Sequence, residues 1–233
     1  MRLDKFLSET TDLSRSLAKK ALHREEVSVD GEITKNPATQ VDESSDVRWQ
    51  GEPLELSGPR YLMMHKPLGI ECTTRPGRYP IVQELIDLPN VDRLHSVGRL
   101  DVDTTGLVLL TDDGQWSHRV TSPKKRCAKV YVATLAEPLE GEAGERAIKA
   151  FAKGVQLDGE EKLTQPAELA LMSPWQVRLT ITEGKYHQVR RMFAAIGNHV
   201  ETLHRESIGP LQLDPDLEPG ECRFLRPAEI AAF

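Results

Sequence analysis

One segment constrains the fold more than any other. GLVLLTDDG, residues 106–114, is an apolar run of strand length that ends in an Asp-Asp-Gly turn, so it reads as a buried strand. Three further strand patterns accompany it. PRYLMMHKPLG, residues 59–69, is one, and KVYVATL, residues 129–135, alternates as a second. QVRLTITEG, residues 176–184, places Val177, Leu179 and Ile181 on one face and Arg178, Thr180 and Thr182 on the other. Val189, Met192, Phe193 and Ile196 then keep helical spacing up to Gly197, a residue suited to ending a helix. Strands outnumber helices and do not alternate with them as βαβ units, which implies an α+β fold rather than a doubly wound sheet.

Residues 1–57 read as a small separate unit. Leu3, Phe6 and Leu7 have helical spacing, Ser14 is placed to cap a second helix, and Leu17, Ala18, Ala21 and Leu22 form that helix's apolar stripe. VSVDGEI follows, with Asp30–Gly31 as a strong hairpin signal. The expected order is therefore helix, helix, hairpin, and QGEPLELSGP, residues 50–59, has the Gly and Pro punctuation of a linker.

Charge is informative because it is uneven. The chain carries 30 Lys plus Arg against 36 Asp plus Glu, a net −6 that excludes a histone-like polybasic protein. Yet the first 25 residues hold six basic and four acidic residues, with Arg2, Lys5, Arg15, Lys19, Lys20 and Arg24 as the cations. Between Arg119 and Lys129, including Lys124, Lys125 and Arg126, there are five positive charges and no negative one, and Tyr131 follows. Cations beside an aromatic suit a phosphate backbone with an unstacked base. In EGKYHQVRRMF, residues 183–193, a Gly turn leads into a helix whose first residues are Lys185, His187, Arg190 and Arg191, and a helix N-terminus favours an anion.

Other chemistries find little support. Cys72, Cys127 and Cys222 form no CxxC pair, and there is no GxxxxGK[ST], GxGxxG, HExxH or GxSxG, so neither a metal nor a cofactor is expected. No apolar stretch reaches 18 residues and the start lacks the apolar run of a signal peptide, so the expectation is a cytoplasmic protein with no membrane span. What remains is carboxylate chemistry in GRLDVDTTG, residues 98–106. Asp101 there is open to two readings, a turn residue that caps backbone N–H groups or a reacting group. Asp101 with Asp103 also has a spacing a glycoside hydrolase would use, at roughly 5–10 Å between carboxyls. The basic segments would then lack a purpose.

The motifs carry a resemblance. RLDKFLSE, LSRSLAKKAL, VSVDGE and NPATQV resemble the RNA-binding domain of the ribosomal-protein-S-four type. HKPLG, GRLDVDTTGLVLLTDDG, KVYVATL, EGKYHQVRRMF and LHRESIGPLQL resemble, in order and over nearly the whole chain, the RsuA family of pseudouridine synthases, including members acting on 16S ribosomal RNA. The chain departs at His65, where the family usually has Asn. The resemblance implies an S-four-type domain at 1–57 and a catalytic domain at 58–233 with a mixed, mainly antiparallel sheet flanked by helices. It implies Asp101 as catalytic aspartate, Tyr131 against the target base, Arg190 paired with the aspartate and Leu203 lining the pocket. Arg99 and Lys185 are further expected substrate contacts. The implied partner is ribosomal RNA, within a small-subunit assembly intermediate, bound by a monomer without cofactor. A non-catalytic RNA-binding protein that keeps the fold is the rival reading.

Overall fold

A computed structural model describes residues 1–42, 44–55, 58–75 and 77–233. It divides into two units, Met1–Pro59 and Arg60–Phe233. Of the expected linker, Leu56 and Ser57 lie outside the described residues.

In the first unit, α1 (Leu3–Thr10) and α2 (Arg15–His23) pack on a four-stranded sheet. Its strands are β1 (Val27–Val29), β2 (Glu32–Ile33), β3 (Val47–Trp49) and β4 (Glu52–Pro53), in the order β2-β1-β3-β4. The Ser14 hydroxyl accepts from the Leu17 amide and so caps α2. Asp30 and Gly31, both at positive φ, make the β1–β2 turn. Gln50 and Gly51 repeat that device between β3 and β4, a second hairpin beyond the expected three elements. The core is Leu3, Phe6, Leu7, Ala18, Ala21, Leu22, Val27, Val41 and Val47, whereas Leu17 is 46% exposed and stands outside it.

The second unit is built on one mixed sheet. Its strands are β5 (Tyr61–Lys66), β6 (His95–Ser96), β7 (Thr105–Thr111), β8 (Lys129–Leu135), β9 (Glu168–Leu171), β10 (Gln176–Ile181), β11 (Val200–Ile208), β12 (Leu211–Gln212) and β13 (Cys222–Phe224). The main path is β13-β5-β7-β11-β8-β10-β9, and β7 with β11 is its parallel pair among otherwise antiparallel neighbours. The helices are α3 (Gly114–Thr121), α4 (Gly141–Lys153), α5 (Gln188–Ala195) and α6 (Pro227–Ala231).

The reason that GLVLL lacks polar breaks is now visible. On β7, Val108 and Leu110 join one buried cluster, while Leu107 and Leu109 join a second. A strand covered on both faces needs apolar residues at every position. Where β7 and β11 lie side by side, Gly106 has φ +108° and a Cβ there would sit 2.3 Å from the Arg205 carbonyl oxygen. That close approach requires glycine and fixes where the loop before β7 meets the middle of β11.

Candidate active site

Asp101 lies in that loop. The turn closes with the Thr104 amide donating to the Asp101 carbonyl at 3.0 Å, and three neighbours tie it down. The Gly69 amide donates to the Val102 carbonyl at 2.8 Å. Lys66, fully buried at the end of β5, donates from Nζ to the Thr104 carbonyl at 2.7 Å and to its neighbour Pro67 at 3.0 Å. Arg190, on α5, donates from Nη2 to the Asp103 carbonyl at 3.1 Å, pairs with the Asp103 carboxylate at 3.0 Å, and holds the Val200 carbonyl from Nη1 at 2.8 Å.

This corrects one expectation. The carboxylate that Arg190 pairs with is Asp103, not Asp101. Arg190 fixes the loop, and the reason is its place beside the turn, where a backbone carbonyl and the Asp103 side chain fall within one guanidinium fork. The group facing Asp101 is His187, whose Nε2 lies 3.4 Å from Asp101 Oδ1. With Asp103 committed to Arg190, the two-carboxylate arrangement of a glycoside hydrolase is not presented.

The Asp101 side chain, 33% exposed, opens into a cavity of about 470 Å³. Tyr131 and Leu203, 7% and 5% exposed, form part of its wall together with Arg99, Lys185 and Arg190. Five Lys or Arg line the cavity against two carboxylates, Asp101 and Glu183, so the local field is positive although the chain's net charge is −6. Burial pushes the Lys129 ammonium, part of this wall, below its ordinary pKa. Lys185 is not free, because its Nζ pairs with Glu160 at 2.7 Å, and Arg191 holds the other oxygen of that carboxylate. Lys124, Lys125 and Arg126 are exposed between Pro123 and Cys127, two residues of the cavity wall.

The sequence reading missed Arg205 and Lys66. Arg205, 1% exposed on β11, has no carboxylate within ion-pair distance among the described residues. Its Nε donates to the Leu107 carbonyl at 2.8 Å, and its Nη1 reaches the Tyr131 hydroxyl oxygen at 3.4 Å. Its guanidinium lies 5.9 Å from the Tyr131 ring centre. A buried, unneutralised arginine is costly, and here it holds Tyr131 in place. Both residues stood in quoted motifs, LHRESIG and HKPLG, but burial of a cation has no sequence signature. His65 belongs elsewhere. It bonds the Leu217 carbonyl at 2.8 Å and meets His204 edge-on, lining a separate cavity.

In the first unit, Arg2 and Arg15 both clamp the buried carboxylate of Asp4, at 3.0 and 3.2 Å. Lys5 pairs with Glu9 and Arg24 with Glu26. Lys19 and Lys20 are exposed on α2 and make no ion pair among the described residues.

The chain resembles known proteins along its whole length. A family model described as RNA pseudouridylate synthase matches residues 60–195, and one described as S4 domain matches residues 1–47. The chain is 52% identical to ribosomal small subunit pseudouridine synthase A of Yersinia pestis, over 100% of this chain and 97% of the relative. It is also 52% identical to the protein of the same name from Escherichia coli K12, covering 99% of it. A crystal structure of a pseudouridylate synthase superposes with a TM-score of 0.71 at 48% identity, over 100% of this chain and 99% of that one.

Proposed function

The chain belongs to the RNA pseudouridylate synthase family, and from that membership we propose that it isomerises uridine to pseudouridine in small-subunit (16S) ribosomal RNA, with Asp101 as the reacting carboxylate. The reaction breaks the bond from C1′ to uracil N1 and makes one from C1′ to C5. The C5 hydrogen leaves as a proton and N1 gains one, so the change is redox-neutral and needs no cofactor. The carrying observation is that the Asp101 carboxylate opens into the cavity with no arginine ion pair among the described residues, faced by His187, in a loop tied at three points. A side chain so placed is preorganised to act on the sugar or base as a nucleophile, or to remove a sugar proton as a base.

The base must first leave its stack, which costs a few kcal/mol unless the RNA is already unpaired. Tyr131 receives it, and an aromatic contact returns about 1–3 kcal/mol. Leu203 closes the apolar side of the pocket. The Arg205 guanidinium, buried behind Tyr131, stabilises negative charge developing on the released uracil. Arg99, Lys185 and the exposed Lys124, Lys125 and Arg126 attract the phosphate backbone.

Residues 1–57 act as the RNA-binding domain and 58–233 as the catalytic domain. In the first, Lys19 and Lys20 carry the phosphate contacts, while Arg2 and Arg15 spend much of their charge on Asp4. The substrate is the rRNA of an assembling small subunit in the cytoplasm, met by a monomer. No helix among the described residues is long and apolar enough to cross a membrane. Mapping pseudouridines in 16S rRNA from cells lacking this protein tests the reading. One site should lose its pseudouridine and regain it on complementation, and an unchanged map would overturn the proposal.

A further inference from the structure

Among the described residues Tyr186 is the most exposed of the large hydrophobic side chains, at 76%. It is also one of only four tyrosines in the chain, and it lines the mouth of the Asp101 cavity. One face of its ring is already covered. The His187 imidazole stacks on it with centres 3.8 Å apart and planes 17° apart. The same imidazole reaches Asp101 through Nε2 at 3.4 Å. His187 makes this bridge from a left-handed backbone, φ +46°, which a non-glycine residue adopts at a cost. The strained residue thus orients two rings and a carboxylate in series, with the outer tyrosine face left open.

An aromatic ring held rigid by stacking, exposed, and placed beside cations is the arrangement that captures an unstacked nucleobase. The cations are Arg99 and, sharing its charge with Glu160, Lys185, in the same cavity wall. Tyr131 cannot serve this purpose as well as its own, because it is buried at 7% exposure inside the pocket. We propose that the Tyr186–His187 stack is a second base-binding site, which holds the nucleotide adjacent to the target uridine while the uridine occupies the inner cavity. This rests on the proposed reaction and deepens it, for it requires two consecutive unstacked nucleotides. The substrate is then an unpaired strand or loop, not one base flipped from an intact helix. Because stacking accepts any π-face, the outer site selects for unpaired structure and tolerates different bases.

The test uses the full chain and the 16S rRNA on which the wild type acts, rebuilt by splinted ligation with an abasic residue at each position flanking the modified uridine in turn. Tyr186→Ala should raise KM by about 5- to 140-fold, the equivalent of one lost base–aromatic stack. Tyr186→Trp and Tyr186→Phe should stay near the wild type. At one flanking position, the abasic RNA should penalise the wild type by the same factor and leave Tyr186→Ala no worse. If Tyr186→Ala kept the wild-type KM, or if its penalty added to the abasic penalty at every flanking position, the outer site would be refuted. A wild type that formed no pseudouridine on unmodified RNA would instead refute the reaction itself.

Discussion

Lys66 gives the sharpest separation between holding the fold and holding the reacting group. Its ammonium is fully buried and has no carboxylate within ion-pair distance among the described residues, only the carbonyls of Thr104 and Pro67 at 2.7 and 3.0 Å. Lys66→Met keeps the apolar stem and removes both hydrogen bonds, each worth about 1.5–3 kcal/mol when one partner is charged. It also removes the penalty for burying an ammonium, several kcal/mol in proteins. These terms oppose one another, so stability at neutral pH should change by less than about 2 kcal/mol. Catalysis has no such offset. The Asp101 loop loses one of three ties, and a displacement of about 1 Å costs on the order of 100-fold. Turnover measured at saturating RNA should therefore fall about 100-fold with little change in KM. A pH signature accompanies it. Burial pushes the Lys66 pKa below its ordinary 10.5, so between the lowered value and 10.5 the unfolded chain binds more protons than the folded one. Stability then rises with pH across that window, and urea unfolding of Lys66→Met should lack that rise. Wild-type turnover in Lys66→Met would refute the positioning argument. A stability loss above about 4 kcal/mol would refute the energetic balance.

Two further outcomes follow from the N-terminal unit. Arg2, with Arg15, holds the buried Asp4 carboxyl down at about 2 against an ordinary 3.8. Its contribution is complete above about pH 4 and disappears as pH falls towards 2. After allowance for the two half-exposed arginines it is worth about 1–2 kcal/mol. Amide exchange over residues 1–59 should show Asp4→Asn losing that protection at neutral pH and losing the acid dependence with it. Lys19→Ala with Lys20→Ala should weaken rRNA binding and lower the log–log salt slope by up to about 1.4, two phosphate contacts at single-strand weighting. An unchanged slope would remove α2 from the interface.

Much of the fold is legible in the amino-acid sequence. Period-2 patterns gave β8 and β10 directly, and Ser14 and Asp30–Gly31 act as read. Helix α4 was not read, since its start lies in EPLEGEAGE, which looks like an acidic surface segment. Its buried positions, Gly144, Ala147 and Phe151, are few. At the site, Asp101, Tyr131, Arg190 and Leu203 were named from motifs, and all four line one cavity. Their pairings were not legible. Whether Arg190 meets Asp101 or Asp103 depends on the orientation of a four-residue turn, which is set by Lys66 and Gly69 from another strand and loop. Likewise Arg205 meets Tyr131 only because β11 pairs with β8 in the register Arg205↔Tyr131. Such facts belong to the assembled sheet, and short-range spacing does not encode them.

The central claim is that the Asp101 carboxylate performs the isomerisation. Tritium release from 16S rRNA labelled at uridine C5 measures the reaction directly, since the C5 hydrogen leaves only when the new bond to C1′ forms. Asp101→Asn keeps the size and polarity of the side chain and removes its capacity to act as nucleophile or base. The wild type should release the tritium of its target uridine, and Asp101→Asn should release none above background while still binding the RNA. Release by Asp101→Asn at a rate near the wild type's would contradict the account.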